Sequence, residues 1–537
     1  DPGTVTGRGY EQTAMPIKNH NDEVLEKVIP SDPKLWPQYR DLFITPGLDE
    51  NKREQVATQE EMMFFLRKTV IPGKNGYLFT AGRSGAYQYE IPAAIFTTTD
   101  LRGAESLEDA AAILKKNRKL TVHYQAQIHG NEAAAGEGAM AMIAAITGEK
   151  GKAWLRDMDI IVIPRINPDG ARAYIRNEVA LNINLNRDFI LCEAAETRAV
   201  QKVYQLFRPD VLIDGHEYTR LPGPRTGPFD DLMLGVAAGI NNGKAIGKLN
   251  LDLLIDAFAR VQEDGFRVTT YPDAPYETKI CVCNAMDPST GRQYFGLLGT
   301  LTILIETPAN KMGKQAYLRR VAGHISTVHA ILNFAAANKE AICRVVKEER
   351  AHIREAGRRY DPDRKFVLTT DLSKNEETAL SVRRPLFDLA TGDVIDENHV
   401  GKMYFFDTAL RSRPYPTAYV LPKGFAWEEK VLEILRCNGI RAGEIPAGEC
   451  AVLRQYIGSA KRAFLTEEKN VRFPRGAIVI PLAQETGILI ATLLEPDGSD
   501  ATDGKGSLAQ NKIIEPSEGA FPVYRSERDL PEGRIPG

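Results

Sequence analysis

A chain of 537 residues is too long to fold around one compact core, and its length alone predicts two to four domains. With 43% hydrophobic residues, 26% charged residues and a formal net charge of −3, the composition is that of an ordinary globular protein. It lacks the broad basic excess that nucleic-acid binding requires, so nucleic acid is not an expected partner. No run approaches about 18 consecutive apolar residues, so no membrane span is expected. The opening DPGTVTGRGYEQ has neither a charged nor an apolar leader region. Either the protein is intracellular, or a leader was removed ahead of Asp1 and secretion or the cell envelope is expected. The six cysteines show no paired zinc-ribbon spacing and are too few for a disulfide scaffold. Cys281 and Cys283 read best as two small residues on one face of a strand.

Residues 1–57, rich in Pro, Asp and Lys and weakly periodic, are expected to form an extended arm or small cap. Regular patterning begins with TQEEMMFFLRKTV (58–70), a helix, followed by two strands, GYLFTAG (76–82) and YEIPAAIFTT (89–98). LTVHYQAQI (120–128) is a strand, 132–147 a helix, MDIIVIPRI (158–166) a strand and 193–207 a helix. DVLIDG (210–215) and TLTILIE (300–306) are further apolar strands, and a long helix spans about 315–337. This alternation predicts an α/β fold with a mostly parallel sheet covered by helices. The charge-rich KEERAHIREAGRRYDPDRK closes a first domain, 58–350. Residues 360–537 carry their own strands, TAYVLP and GAIVIPLA, and a helix (428–437), and predict a second, smaller α/β domain.

His-x-x-Glu occurs three times, at His20/Glu23, His129/Glu132 and His352/Glu355. His20 follows no strand and His352 lies in a charged helix. His129 follows an apolar strand, and Glu132 opens the helix after it. In open α/β sheets, ligands gather beyond the carboxyl ends of the strands. His216 after 211–215 and Glu306 closing 301–305 sit at such ends too, so four polar groups can meet on one rim. Two imidazoles and one carboxylate suit one zinc ion with a fourth position open to water. Zinc would acidify that water and polarise a carbonyl. A carboxylate that is not a ligand, here Glu306, would take the water's proton and pass it to a leaving amine. Either histidine alone reads more readily as an ordinary residue near a sheet edge; four groups on one rim do not.

HGNE (129–132), NPDG (167–170), NLNRDF (184–189), DGH (214–216) and TILIET (302–307) follow one another as in the zinc metallocarboxypeptidases that resemble carboxypeptidase A. The resemblance covers about 58–340. It implies a mixed eight-stranded sheet between helices, zinc held by His129, Glu132 and His216, and Glu306 as general base. It also implies that Asn186 and Arg187 grip the substrate's C-terminal carboxylate, a task suited to a guanidinium fork. Arg176 is the candidate for stabilising the oxyanion, with Arg172 its rival. Tyr294 is the nearest counterpart of the tyrosine that folds over substrate, with Tyr276 second. Three positions depart from the family pattern. Asn184 stands where the family has the aspartate that orients a ligand histidine. Glu217 follows His216 in place of a small hydroxyl residue, which suggests a more acidic pocket wall. The covering tyrosine has no unambiguous counterpart.

The expected activity is zinc-dependent removal of C-terminal residues from peptides bearing a free carboxylate. A zinc amidohydrolase of the succinylglutamate desuccinylase or aspartoacylase type is the alternative enzyme, and a non-catalytic binding protein on a peptidase scaffold is the alternative outside enzymology. Length and the NPDG and NLNRDF block favour the peptidase; intact ligands and Glu306 speak against the binding protein. Arg292 and Arg176 would favour acidic C-terminal residues, whereas GLLGT (296–300) would line an apolar pocket, and the sequence leaves both open.

Overall fold

The structure is a computed structural model that describes residues 22–49, 51, 55–218, 226–237, 239–271, 280–283, 288–308, 312–373, 380–498 and 506–529. Its first ten strands are β1 (Gly76–Arg83), β2 (Glu90–Phe96), β3 (Leu120–Ala126), β4 (Met158–Ile163), β5 (Val211–Tyr218), β6 (Thr226–Pro228), β7 (Leu232–Val236), β8 (Val268–Thr270), β9 (Ile280–Cys283) and β10 (Leu301–Pro308). The helices among and after them are α1 (Asp22–Val28), α2 (Gln59–Val70), α3 (Leu107–Lys116), α4 (Ala133–Thr147), α5 (Glu149–Asp157), α6 (Pro168–Ala173), α7 (Ala195–Phe207), α8 (Lys244–Glu263), α9 (Gly291–Leu297), α10 (Tyr317–Ala337) and α11 (Lys339–Ala356).

Eight of these strands form one mixed sheet in the order β1-β2-β4-β3-β5-β10-β7-β8. Its centre, β4-β3-β5-β10, is parallel, and antiparallel pairs join β1 to β2, β2 to β4 and β7 to β10. Strand alternation sorts its side chains into two cores. Val122, Ile213, Ile303 and Ile305 face the layer of α2, α4, α8 and α10. Ile161, Ile163 and Leu212 face α3, α7 and α9. The odd-numbered residues of β5 and β10 point one way, which leaves Asp214, His216, Leu304 and Glu306 together on the opposite face. α4 is apolar on every side because it is buried on every side. Gly138 lets it approach α10, since a Cβ there would run into the His324 side chain.

Ahead of the sheet, residues 22–49 strap across α8 and α10. Trp36 is buried, stacks on Phe266 with ring centroids 5.1 Å apart, and donates its indole N–H to Asp264 O. Past α11 the chain is rich in sheet. Ala418–Pro422, Ala477–Pro481 and Ala520–Ser526 belong to a seven-stranded sheet whose pairings are all antiparallel, accompanied by helices Glu428–Cys437 and Gly487–Leu494. The expected strands and helix are present, and the strands pair antiparallel. This region also completes two sheets begun earlier in the chain: Leu386–Asp388 pairs with β6, and Val400–Pro414 pairs with β9. The core under α7 and α9 continues without a break into Tyr419, Ile434, Leu435, Ile480 and Ile488.

Candidate metal centre and active site

Each motif of the first region meets the others at the carboxyl end of β3. After β3, Gln127 takes a left-handed turn (φ 52°), held by a bond from Arg165 Nε to its Oε1 and by its own Nε2 donating to Gly130 O. That turn carries His129 onto the rim. Gly130 and Gly170 explain each other: a Cβ on Gly130 would collide with the backbone of Gly170. Asn167 caps α6 by accepting from Gly170 N, with Pro168 in the first helical turn, and its Nδ2 donates to Ile128 O. The NPDG turn thereby holds the HGNE turn. Asp188 of NLNRDF accepts from Glu193 N and Ala194 N, both at 2.9 Å, and burial pushes its carboxyl up to about 6.

His129, Glu132 and His216 are the group of side chains, among the described residues, able to hold a metal ion. His129 Nδ1 lies 2.6 Å from Glu132 Oε1, and His216 Nδ1 lies 3.0 Å from Glu132 Oε2. All three are buried. The outer nitrogens are just as well defined. His129 Nε2 is 3.0 Å from Asn184 Oδ1, and His216 Nε2 is 3.2 Å from Asp214 Oδ2, whose other oxygen accepts from Gln125 Nε2. His129 Nε2 faces an acceptor, while His216 Nε2 lies 3.2 Å from Asp214 Oδ2 and 3.4 Å from Asn186 Nδ2. A proton on each outer nitrogen, as these carboxamide and carboxylate oxygens favour, turns the Nδ1 lone pairs inward. This donor set, two imidazoles and a carboxylate, fits zinc. Burial pushes His129 down to about 4, keeping it neutral at pH 7. Burial would raise Glu132, but the two histidines outweigh it and hold the carboxyl well below its usual range.

Glu306 pairs in register with His216 across β10 and β5, so both project from the same face. Burial pushes its carboxyl up to about 8, opposed by His216 and reinforced by Glu132. A cation between the three ligands would draw it back down. Arg176 Nη1 donates to Glu132 Oε1 at 3.1 Å, bringing its guanidinium to the site. Arg172 is held elsewhere, its guanidinium 4.4 Å from the Tyr87 ring and bonded to Tyr89 Oη. Asn186 and Arg187 sit in the short turn Leu185–Arg187, which Asn184 caps by accepting from Asn186 N. Asn186 Oδ1 accepts from Gly291 N, and Arg187 Nη1 donates to Asn186 O.

Two expectations change. Glu217 does not acidify the pocket, because alternation along β5 turns it to the other face of the sheet. There it accepts from Ala134 N, filling the cap position that Glu132 leaves vacant at the start of α4, and pairs with Arg320. Burial raises it to about 7. Tyr294 is not brought to this group: its ring stacks on Phe189 and its hydroxyl donates to Asn438 Oδ1 inside the second core. Tyr276 lies outside the described residues. The tyrosine that does stand here is Tyr271, just past β8. Burial and the charge of Glu306 push its phenol up, while Arg292, Arg187 and Arg176 oppose them. A three-residue strand offers no periodic signal, so nothing in the sequence singled it out.

Residues 89–205 match the family model described as zinc carboxypeptidase. That span holds His129, Glu132, Arg176, Asn186 and Arg187; the fold adds His216 and Glu306. Carboxypeptidase 2 of Trichophyton tonsurans is 26% identical over 442 residues, covering 76% of this chain and 77% of the relative. Carboxypeptidase 2 of Trichophyton equinum is 26% identical over 440 residues, with the same coverage. Among solved structures, a metallo-carboxypeptidase from Burkholderia cenocepacia is 18% identical, covers 52% of this chain and 70% of its own, and has a TM-score of 0.39. The zinc carboxypeptidase match and the carboxypeptidase relatives together support a metallocarboxypeptidase. No helix among its described residues is long and apolar enough to cross a membrane.

Proposed function

We propose that the protein hydrolyses the last peptide bond of peptides carrying a free C-terminal carboxylate. The observation that carries this reading is the meeting of His129, Glu132 and His216 with Glu306 and Arg176 on one face, beside the turn bearing Asn186 and Arg187. Zinc held by His129, Glu132 and His216 supplies a Lewis acid and makes water acidic near neutral pH. Glu306 receives the proton of the attacking water on its carboxylate and delivers it to the nitrogen of the departing residue. Arg176 donates to the negative charge growing on the scissile carbonyl oxygen. The Arg187 fork and the Asn186 amide hold the terminal carboxylate, which sets the bond to be cut one residue away. Residues 58–350 form the catalytic unit; the strap before them and residues 360–537 support it.

The test is one peptide in two forms, free acid and C-terminal amide. Amidation removes the charge and replaces an acceptor oxygen with a donor nitrogen. The free acid should be cleaved at least roughly a hundredfold faster, and Arg187→Met should shrink that ratio. Equal cleavage of both forms would defeat the reading. Hydrolysis confined to N-acyl aspartate or glutamate would favour the amidohydrolase instead.

A further inference from the structure

We propose that Arg292 selects the side chain of the residue released, and that the preferred substrates are peptides ending in glutamate or aspartate. This rests on the carboxypeptidase reading and adds the substrate class to it. Arg292 lies in α9 and is 4% exposed, yet its Nε and Nη1 have no hydrogen-bond partner among the described residues. Among the described residues, its charge lies over the face of Tyr271, 5.4 Å from the ring centroid. Four other buried arginines are matched by carboxylates, Arg319 by Asp231, Arg320 by Glu217, Arg384 by Asp230 and Arg525 by Glu495, and Arg165 is satisfied by the oxygens of Gln127, Gln59 and Ala57. A buried guanidinium without an anion is costly unless a ligand supplies one.

Its position identifies that ligand. The residue before it, Gly291, donates its N–H to Asn186 Oδ1, so Arg292 starts beside the pair that grips the terminal carboxylate. Its guanidinium lies over Gly235 of β7, where any Cβ would collide with Nη1. Gly235 is in register with Leu304 and Met233 with Glu306, which puts the guanidinium on the sheet face that carries the proposed general base. The Tyr271 phenol is influenced by Glu306 and by Arg292, Arg187 and Arg176, which sets Arg292 in the same neighbourhood as the proposed general base and the other two guanidinium groups, while Arg176 is already paired with Glu132. A residue held there by its α-carboxylate directs its side chain into that space. A second carboxylate on the side chain meets the Arg292 fork, a geometry suited to bidentate pairing. The apolar alternative loses its lining, because Leu297 and Leu298 are packed in the second core.

The experiment compares kcat/KM for one peptide series ending in Glu, Asp, Gln, Leu or Lys, each as the free acid. Glutamate and glutamine differ only in charge and one donor group, so their ratio isolates the pairing. The holoenzyme should favour Glu over Gln by at least about thirtyfold. Arg292→Met should bring that ratio to within about threefold of unity, and Arg292→Lys should retain part of it. Because the replaced charge has no partner among the described residues, Arg292→Met should melt no lower than the parent. Equal release of Glu, Gln and Leu by the parent would overturn the proposal, as would a Glu:Gln ratio that survives Arg292→Met. A uniform loss on every peptide would assign Arg292 to the α-carboxylate or to the scaffold, and would overturn it too. Calorimetric binding of the same peptides to zinc-loaded Glu306→Gln reads the ratio without turnover. Tight, Glu-selective binding by a protein that cleaves nothing would refute the reaction and leave the pocket standing.

Discussion

The two ligand histidines are backed differently, and zinc affinity should respond to that difference. His216 Nε2 faces the carboxylate of Asp214 at 3.2 Å, whereas His129 Nε2 faces the amide oxygen of Asn184 at 3.0 Å. Asn184→Asp keeps an oxygen in place for both the imidazole and the Asn186 N–H, which also bonds to Oδ1 at 2.9 Å, and adds a negative charge. That charge makes the Nδ1 lone pair of His129 more basic. Partners of this kind are typically worth 10–100-fold in metal affinity. The aspartate should therefore bind zinc about tenfold more tightly, or about 1.4 kcal/mol. Asn184→Ala should weaken zinc by about 10–100-fold, and by uncapping the turn it should also raise KM for free-acid peptides. Competition with a fluorescent zinc chelator at fixed pH and ionic strength reads both constants. His216→Ala, which deletes a ligand, sets the floor of the scale. A folded Asn184→Asp protein that binds zinc no more tightly than its parent would refute the argument that this amide limits ligand basicity.

Glu306→Gln should keep about one zinc per chain while turnover falls by about 10²–10⁴-fold, since the amide preserves shape but accepts no proton; near-normal turnover in the metal-loaded variant would move the base elsewhere. Glu196, buried with Gly85 N bonded to its Oε1, is pushed up by burial from its ordinary 4.5 to about 7. Its raised value gives stability that is complete below pH 4.5 and lost as pH rises through 7, so Glu196→Gln should be more stable than the parent at pH 8 by up to roughly 3 kcal/mol, with the gap closing towards pH 5; denaturant midpoints that run parallel at both pH values would contradict it. Trp36→Ala should cost about 3–5 kcal/mol, because the indole is buried, stacked and hydrogen-bonded. A melting temperature within a few degrees of the parent would show the strap to be dispensable.

Periodicity made the central elements legible, since α2, β3, α4, β10 and α10 are long or strongly apolar. The helix expected at 58–70 starts at Gln59 because Thr58 and Glu61 form a capping box. The candidate ligands were legible because the two histidines follow apolar strands and Glu132 opens the next helix. The orientation of Glu217 was legible too, and overlooked: if His216 faces the site, its neighbour on a strand cannot. The separation of Arg176 from Arg172 was not legible, because it depends on Tyr87 and Tyr89, some eighty-five residues earlier in the chain. Pairings such as β9 with Val400–Pro414 join segments more than a hundred residues apart, and no local pattern encodes them.

Tyr294 shows why the remaining residues escaped a reading by motif. It was expected to face substrate only as the nearest counterpart, in TGRQYFGLLGT, of the tyrosine that folds over substrate in the family it resembles. Its helix does serve the proposed site, through Gly291 and Arg292 at the first turn, while Tyr294 anchors the next turn in the opposite direction. The anchor is Asn438, which accepts from Tyr294 Oη and donates to Ile190 O. Ile190 lies three residues beyond Arg187, and Phe189 stacks on Tyr294 itself. One asparagine from the C-terminal region therefore braces both the turn that presents Arg187 and the helix that presents Arg292. A sheet rim can place metal ligands from strand ends and helix starts alone. Bracing the turn and the helix that carry Arg187 and Arg292 needs a further support, and here it comes from residues that no catalytic motif contains.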